Sequence, residues 1–257
     1  MESKTPLSVA IITKDEASNL PRCLRSVNFV DQIVIVDSGS VDDTVKIALE
    51  YGCDVFIEQW QGFGPQKQFA INQCRNQWIL LIDADECIPR DTAQAIKNLI
   101  LNPLTSAIGF SFPRKNFFQG RWIKHAGWWP DRVVRLFRKD LGYMKQAKVH
   151  EALEVDGLVE ALMYPIEHFT ESDLSKVLKK IDQYSTLGAA EAYKEGKTAS
   201  IWSAAFRAKI AFIQNYILRL GFLDGHQGLT LAITDSVNKF FKYAKLTELS
   251  RQEKKPL

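Results

Sequence analysis

No run of about 18 uncharged apolar residues, the length a membrane-crossing helix requires, occurs in this 257-residue chain. No transmembrane helix is therefore expected. Cysteine is scarce: Cys23, Cys53, Cys74 and Cys87 form no CxxC pair and no zinc-like spacing, so they read as scattered thiols of a reducing compartment. The opening MESKTPLSVAIITKDE has no basic region followed by a long apolar one, and no export signal is expected. Internal repeats and low-complexity linkers are missing too. Net charge is only +3, so bulk charge names no partner. With 46% hydrophobic and 25% charged residues the composition is that of an ordinary globular protein. The length suits one large domain or a main domain with an appendage.

What is present is an alternation. LSVAIIT (7–13), IVIVDS (33–38) and WILLID (78–83) read as buried strands, and CDVFIE (53–58) as a further short strand. Helical patterns lie between and after them: Leu20, Leu24 and Val27 at helical spacing, DDTVKIALEYG (42–52), PQKQFAINQCR (65–75) and TAQAIKNLIL (92–101). Strands alternating with helices predict an α/β fold with a mostly parallel sheet. Ligands of such sheets sit at the carboxyl ends of the strands, which puts Thr13, Asp37 and Asp83 on one rim. From about residue 108 the pattern shifts to a partly antiparallel section, IGFSFPRKNFF and RVVRLFRKD, and from 171 it is helical to the end. The expected organisation is a catalytic and binding domain over 1–170 and a helical region over 171–257.

WILLIDADE (78–86) drives a buried strand into three carboxylates, Asp83, Asp85 and Glu86. Such a cluster repels itself unless a cation or several donors sit among its members. Asp83 and Asp85 flank a small residue, so in extended backbone both can point to one side. A hard divalent cation takes one or two carboxylates plus substrate phosphate oxygens; an acidic turn capping the next helix is the plain alternative. Asp37 ends its strand in VDSGSVDDT, where a carboxylate can accept from a nucleobase or a ribose hydroxyl. Gly39 permits a tight turn or close backbone approach to a ligand.

TKDEASNLPRCLRSV, IVIVDSGSVDDT and WILLIDADE, in that order and spacing, resemble a family 2 glycosyltransferase of the GT-A fold. The likeness implies a Rossmann-like sheet flanked by helices, a nucleotide-diphospho-sugar donor, and Mg²⁺ or Mn²⁺. It implies that Thr13, Asp15, Glu16 and Asp37 hold the nucleoside and that Asp83 and Asp85 lie over the metal and diphosphate. The first motif has Thr-Lys-Asp-Glu where an Asn often precedes the Glu. GFGPQKQFAIN, WWPDRVVRLFR, KVHEAL and GHQGLTLAITDSVNKFFKYAKL resemble a bacterial subgroup that includes lipopolysaccharide inner-core glucosyltransferases. UDP-glucose is the donor this suggests, with a core or related glycolipid acceptor; polyprenyl phosphate or a protein is the alternative acceptor.

Lys67 is expected either to contact the donor phosphate or to be a solvated helix lysine. Residues 114–148 carry ten basic residues against Asp131 and Asp140, an excess of eight that leaves the rest of the chain net acidic by five. That asymmetry attracts anions. Arg132, Arg135 and Arg138 cannot all share one strand face, so at least one is expected to support structure; Arg135 is assigned to the donor. No RNA-binding motif appears, and no nucleic-acid partner is expected. Trp128 and Trp129, if in a strand, would face opposite ways, one into the core and one into the cleft. An inverting transfer needs a carboxylate to take the acceptor hydroxyl proton: Glu151 first, Asp131 second. His150 is a candidate for the metal or phosphate shell.

SIWSAAFRAKIAFIQNYILRLGFL is apolar and aromatic with three cations, Arg207, Lys209 and Arg219. Such a segment suits a membrane interface, here the inner face of the cytoplasmic membrane. A core or homo-oligomer helix is the competing expectation. Two rival functions remain: a non-catalytic nucleotide-sugar-binding scaffold, and a nucleotidyltransferase, which would carry a glycine-rich basic loop after the first strand where ITKDEASN stands.

Overall fold

The computed structural model describes residues 4–101, 106–145, 152–170 and 173–252. The chain forms two compact units, Met1–Arg114 with Asp131–His168, and Lys115–Pro130 with Phe169–Leu257.

In chain order the elements are β1 (Thr5–Thr13), α1 (Leu20–Ser26), β2 (Val30–Asp37), α2 (Thr44–Glu50), β3 (Asp54–Ile57), α3 (Phe63–Gln73), β4 (Trp78–Leu81), β5 (Glu86–Cys87) and α4 (Arg90–Leu101). They continue with β6 (Gly109–Phe118), β7 (Arg121–Trp122), β8 (Asp131–Arg138), β9 (Gly142–Met144), β10 (Leu153–Val155), β11 (Val159–Ala161) and β12 (Ile166–Phe169). The helices α5 (Leu174–Lys194), α6 (Ile201–Ile213) and α7 (Gly225–Gln252) follow.

The main sheet runs β3-β2-β1-β4-β8-β6-β12-β5. β3, β2, β1 and β4 are parallel. β8 then pairs antiparallel with β4, and β6 antiparallel with β8. The mostly parallel sheet predicted from the strand-helix alternation is therefore one half of a mixed sheet. β1 is central and buried on both faces. Leu7, Val9 and Ile11 enter one apolar cluster with Ile35, Leu80 and Ile82. Ala10 enters another with Val34, Val36, Ile79 and Leu81. Two-sided burial explains why these strands read as continuous apolar runs rather than alternating ones. All four cysteines are free and buried in this first unit.

In the second unit, β7 pairs with the last residues of β6, Phe117↔Trp122 and Phe118↔Arg121. Asp173 caps α5 by accepting from Ser175 N, and Ser200 and Ser203 form a capping box at α6. α6 runs on through a π-helical turn, Gln214–Leu218, to Leu220 at φ 56° and a 3₁₀ turn, Gly221–Asp224. α7 starts hard against that turn: a Cβ on Gly228 would collide with Gly221 O. Trp128 and Trp129 lie in the loop before β8 rather than in a strand. Gly127, at φ 82°, turns the chain just before them. Trp128 packs against Phe118, Ile123 and Leu231, while Trp129 meets Trp122 edge to face at 5.3 Å.

Candidate active site

The parallel strands end on one rim, where Thr13 and Asp37 are register partners. Asp37 is fully buried. Its carboxylate accepts from Thr13 Oγ1 at 2.9 Å, Gly39 N at 2.9 Å and Ser40 N at 2.7 Å, and also from Ser40 Oγ. Where the sequence offers an acceptor for a nucleoside, the folded chain turns it inward to shape the 38–40 loop. Gly39 makes that loop possible at φ 79°. Asp15, itself at φ 55°, accepts from Val41 N at 2.8 Å and donates its own N–H to Ser40 Oγ. Glu16 donates its N–H to Thr44 Oγ1 and accepts from Asn19 Nδ2 at 2.9 Å. The first and second motifs are thus stitched together, and Lys14 reaches the carbonyls of Ser38 and Gly39.

The acids after β4 meet cations. Asp83 sits between Lys67 Nζ at 2.9 Å and Arg135 Nη2 at 2.6 Å, one on each carboxylate oxygen. The same Arg135 nitrogen donates to Glu86 at 2.6 Å, and Arg114 Nη1 to Glu86 at 3.2 Å. Arg114 also donates twice to one oxygen of Asp131, at 2.6 and 3.0 Å. Three cations and three acids therefore alternate: Lys67, Asp83, Arg135, Glu86, Arg114, Asp131. Glu86 is wholly buried and closes the turn by accepting from Asp83 N at 3.2 Å.

Burial pushes the Asp83 carboxyl up, but Arg135 and then Lys67 outweigh it and hold it well below the usual carboxylate range. Burial likewise lowers Arg135, and Glu86 and Asp83 more than reverse that. Arg135 Nε is enclosed without a hydrogen-bond partner among the described residues. The cations that WILLIDADE demanded are thus side chains of α3, β6 and β8.

Asp85 stands apart from that chain of charges, 3.3 Å from His168 Nε2 of β12. Among the described residues no group of three or more His, Cys, Asp or Glu side chains is arranged to hold a metal. Asp83 already has a cation on each oxygen, a poor start for a divalent ion. Asp85 with His168 fits a partial shell, one carboxylate and one imidazole, that donor phosphate oxygens would complete.

Of the residues picked from sequence, the fold gathers Lys67, Asp83 and Arg135 directly and Asp131 through Arg114. It gathers Thr13, Asp15, Asp37 and Gly39 at the neighbouring loop. Lys67 is buried rather than solvated. Arg132 donates to Leu162 O at 2.9 Å and Arg138 pairs with Asp140, so two of the arginine trio serve elsewhere. His150 and Glu151 lie outside the described residues. Glu86 as an internal counter-charge, Arg114 and His168 were missed. Only Glu86 carried a local signal, its place among the three acids.

A parallel half-sheet with a nucleotide-type rim, continued by antiparallel strands that bring arginines to an acid-tipped strand, is the GT-A architecture of nucleotide-sugar transferases. The chain belongs to glycosyl transferase family 2, whose profile matches residues 8–152, and it is a glycosyltransferase. It is 31% identical to the lipopolysaccharide core biosynthesis glycosyltransferase LpsC of Rhizobium meliloti (strain 1021), over all of this chain and 97% of that protein. An uncharacterised glycosyltransferase of Rickettsia prowazekii (strain Madrid E), RP128, is 27% identical over 95% of this chain and 87% of its own length. Among solved structures, the mannosyltransferase PcManGT from Pyrobaculum calidifontis, in complex with GDP-Man and Mn²⁺, superposes with TM-score 0.52 at 15% identity. It covers 95% of this chain and 88% of that one. At that identity the likeness concerns the fold.

Proposed function

We propose that this glycosyltransferase moves glucose from UDP-glucose, with inversion, onto a lipopolysaccharide inner-core or related glycolipid acceptor. The observation that carries the reaction type is the ledge after β4, with Asp83 neutralised by Lys67 and Arg135 and Asp85 standing beside His168. The full-length likeness to a lipopolysaccharide core enzyme supports the acceptor class. Mg²⁺ or Mn²⁺, held by Asp85 and His168, would supply Lewis-acid neutralisation of the leaving diphosphate.

The chain's own part is to orient and to move one proton. Thr13, Asp15, Glu16 and the 38–40 loop form the nucleoside wall, with Asp37 holding the loop's shape. The acceptor oxygen attacks the anomeric carbon as the bond from that carbon to the diphosphate oxygen breaks. UDP departs with the bonding pair, and the hydroxyl proton passes to a carboxylate. Glu151 is the preferred base. Asp131, one of whose oxygens Arg114 already occupies, is second.

No helix among the described residues is long and apolar enough to cross a membrane. Peripheral contact at the inner face of the cytoplasmic membrane fits the helices of 171–257. Trp202, Phe206, Ile210, Ile213 and Ile217 recur at helical spacing and are all exposed, Trp202 by 82%. In this proposal the transferase chemistry resides in 1–170.

The test is calorimetric titration with UDP-glucose, UDP-galactose, UDP-GlcNAc and GDP-mannose, with and without Mn²⁺, on the protein and on Asp85→Ala. Metal-dependent binding of UDP-glucose that weakens at least about tenfold in the variant supports the proposal. Preference for another donor refutes the glucose assignment, and equal binding by the variant refutes the ledge. Release of pyrophosphate rather than UDP would mean nucleotidyl transfer.

A further inference from the structure

Two cavities of the second unit share Lys124 and His125. The larger, about 670 Å³, is bordered by Arg121, Trp122, Asp224 and Gln227 as well. The smaller, about 420 Å³, adds Trp129 and Arg219. Asp224 at the head of α7 is buried. It accepts from His125 N at 2.8 Å and Lys124 N at 3.3 Å and lies 3.1 Å from His125 Nδ1. The loop that carries Lys124 is thereby fixed to the start of the helix. Arg121 Nη2 donates to Leu223 O at 3.1 Å, which anchors the guanidinium at the larger cavity.

Three features point to an occupant. First, charge: Lys115 and Lys124 lie 4.9 and 4.6 Å from the Trp122 ring centroid, and Arg121 and Lys124 border the larger cavity with Asp224. An excess of cations around an aromatic surface favours an anion. Second, two enclosed polar atoms have no hydrogen-bond partner among the described residues: Trp122 Nε1, a donor, and Gln227 Oε1, an acceptor on a residue only 7% exposed. Buried polar groups are almost always satisfied, so orphans beside a cavity ask for a ligand. Third, the cavity edges are apolar. Leu223 borders the larger and Leu218 and Leu220 the smaller, all three exposed.

A bare anion would use the cations but neither the indoles nor the amide carbonyl. A neutral sugar would use the indoles and carbonyl but not the cations. We propose that these cavities bind an anionic saccharide, the phosphate- or carboxylate-bearing sugar of a glycolipid headgroup. Arg121 and Lys124 take the anion, Trp122 Nε1 donates to a sugar oxygen, Trp129 stacks on the ring, and Gln227 and Asp224 accept from hydroxyls. The exposed leucines stand where the lipid surface would begin. That the sugar comes from the acceptor rests on the function proposed above; the binding itself does not.

The test uses the full chain, ¹⁵N-labelled, with neither donor nor metal. Its six tryptophans give six indole N–H signals, and Trp122→Phe assigns the relevant one. Glucose 6-phosphate, glucuronate, glucose and inorganic phosphate are titrated in turn. A Trp122 signal that moves with glucose 6-phosphate or glucuronate, and needs about tenfold more ligand in Arg121→Ala, supports the site. Whichever anionic sugar acts alone identifies the anion as phosphate or carboxylate. Lys124→Ala, which removes the other anion-binding cation and leaves the backbone bond from Lys124 N to Asp224 in place, gives the same reading should Arg121→Ala fail to fold. No movement with either anionic sugar, equal response in both variants, or inorganic phosphate or glucose matching the anionic sugars overturns the proposal. UDP-glucose binding measured on the same samples separates this outcome from failure of the proposed function.

Discussion

In the first unit, charge is folded inward: Asp83, Glu86 and Asp131 each meet a guanidinium or ammonium, and Glu86 and Arg135 are buried. In the second, grease is turned outward: Trp202 is 82%, Phe206 64% and Leu218 72% exposed. A protein surface ordinarily keeps its largest apolar groups scattered, and an interior ordinarily keeps ionised groups out. On the proposed function, the first inversion suits a rim that presents a fixed arrangement of charge to a diphosphate, and the second a surface that meets lipid. Stability and function should therefore part company differently in the two units.

The largest effect that would break this contrast is at Arg135. Arg135→Ala leaves Glu86 and Asp83 without their shared cation, and stability should fall by about 3–5 kcal/mol, read as a lower urea midpoint. A loss under about 1 kcal/mol would mean that the buried charges are not held as the distances imply.

The second unit has its own tight point. Gly228→Ala places a methyl against Gly221 O and should cost about 1–3 kcal/mol through overpacking, with donor affinity unchanged.

Acid sharpens the comparison. The folded Asp83 carboxyl titrates below the value of about 3.9 in the unfolded chain, so its contribution is complete above about pH 5 and is lost as pH falls through the folded value. The stability gap between the protein and Arg135→Ala should narrow steadily on acidification below about pH 4. A gap independent of pH would contradict the pairing.

The smallest stability effect belongs to Trp202→Ala with Phe206→Ala, expected within about 0.5 kcal/mol of the parent. Co-sedimentation with anionic phospholipid vesicles should nonetheless drop several-fold. Unchanged sedimentation would remove the membrane role and leave self-association, read by light scattering, as the use of this face.

The parallel half of the sheet was legible because β1, β2 and β4 are buried on both sides and show it as unbroken apolar runs. The three helices of 171–257 were legible from periodicity. The antiparallel half was not. Leu80 pairs with Leu136 across more than fifty residues, and only that pairing carries Arg135 to Asp83. Arg114 reaches Glu86 through β6, and His168 reaches Asp85 through β12, and neither position differs locally from any other strand cation or imidazole. The tryptophan pair misled because alternation was applied to a segment that Gly127 turns into a loop. Asp37 was correctly placed on the rim, but its direction depended on Thr13 of β1 and on three donors in a loop whose shape it dictates.

The distribution of thiols has an experimental consequence. Cys23, Cys53, Cys74 and Cys87 all belong to the first unit, and the second has none. Burial pushes Cys53 and Cys74 up to about 12, so at pH 8 only about one molecule in ten thousand carries the reactive thiolate at either position. Alkylation in the native state is thereby nearly silent, and a pulse of iodoacetamide becomes a clock for the opening of the first unit alone, blind to any fraying of the helices of the second. The chain comes with a built-in stopwatch for one half of its own unfolding.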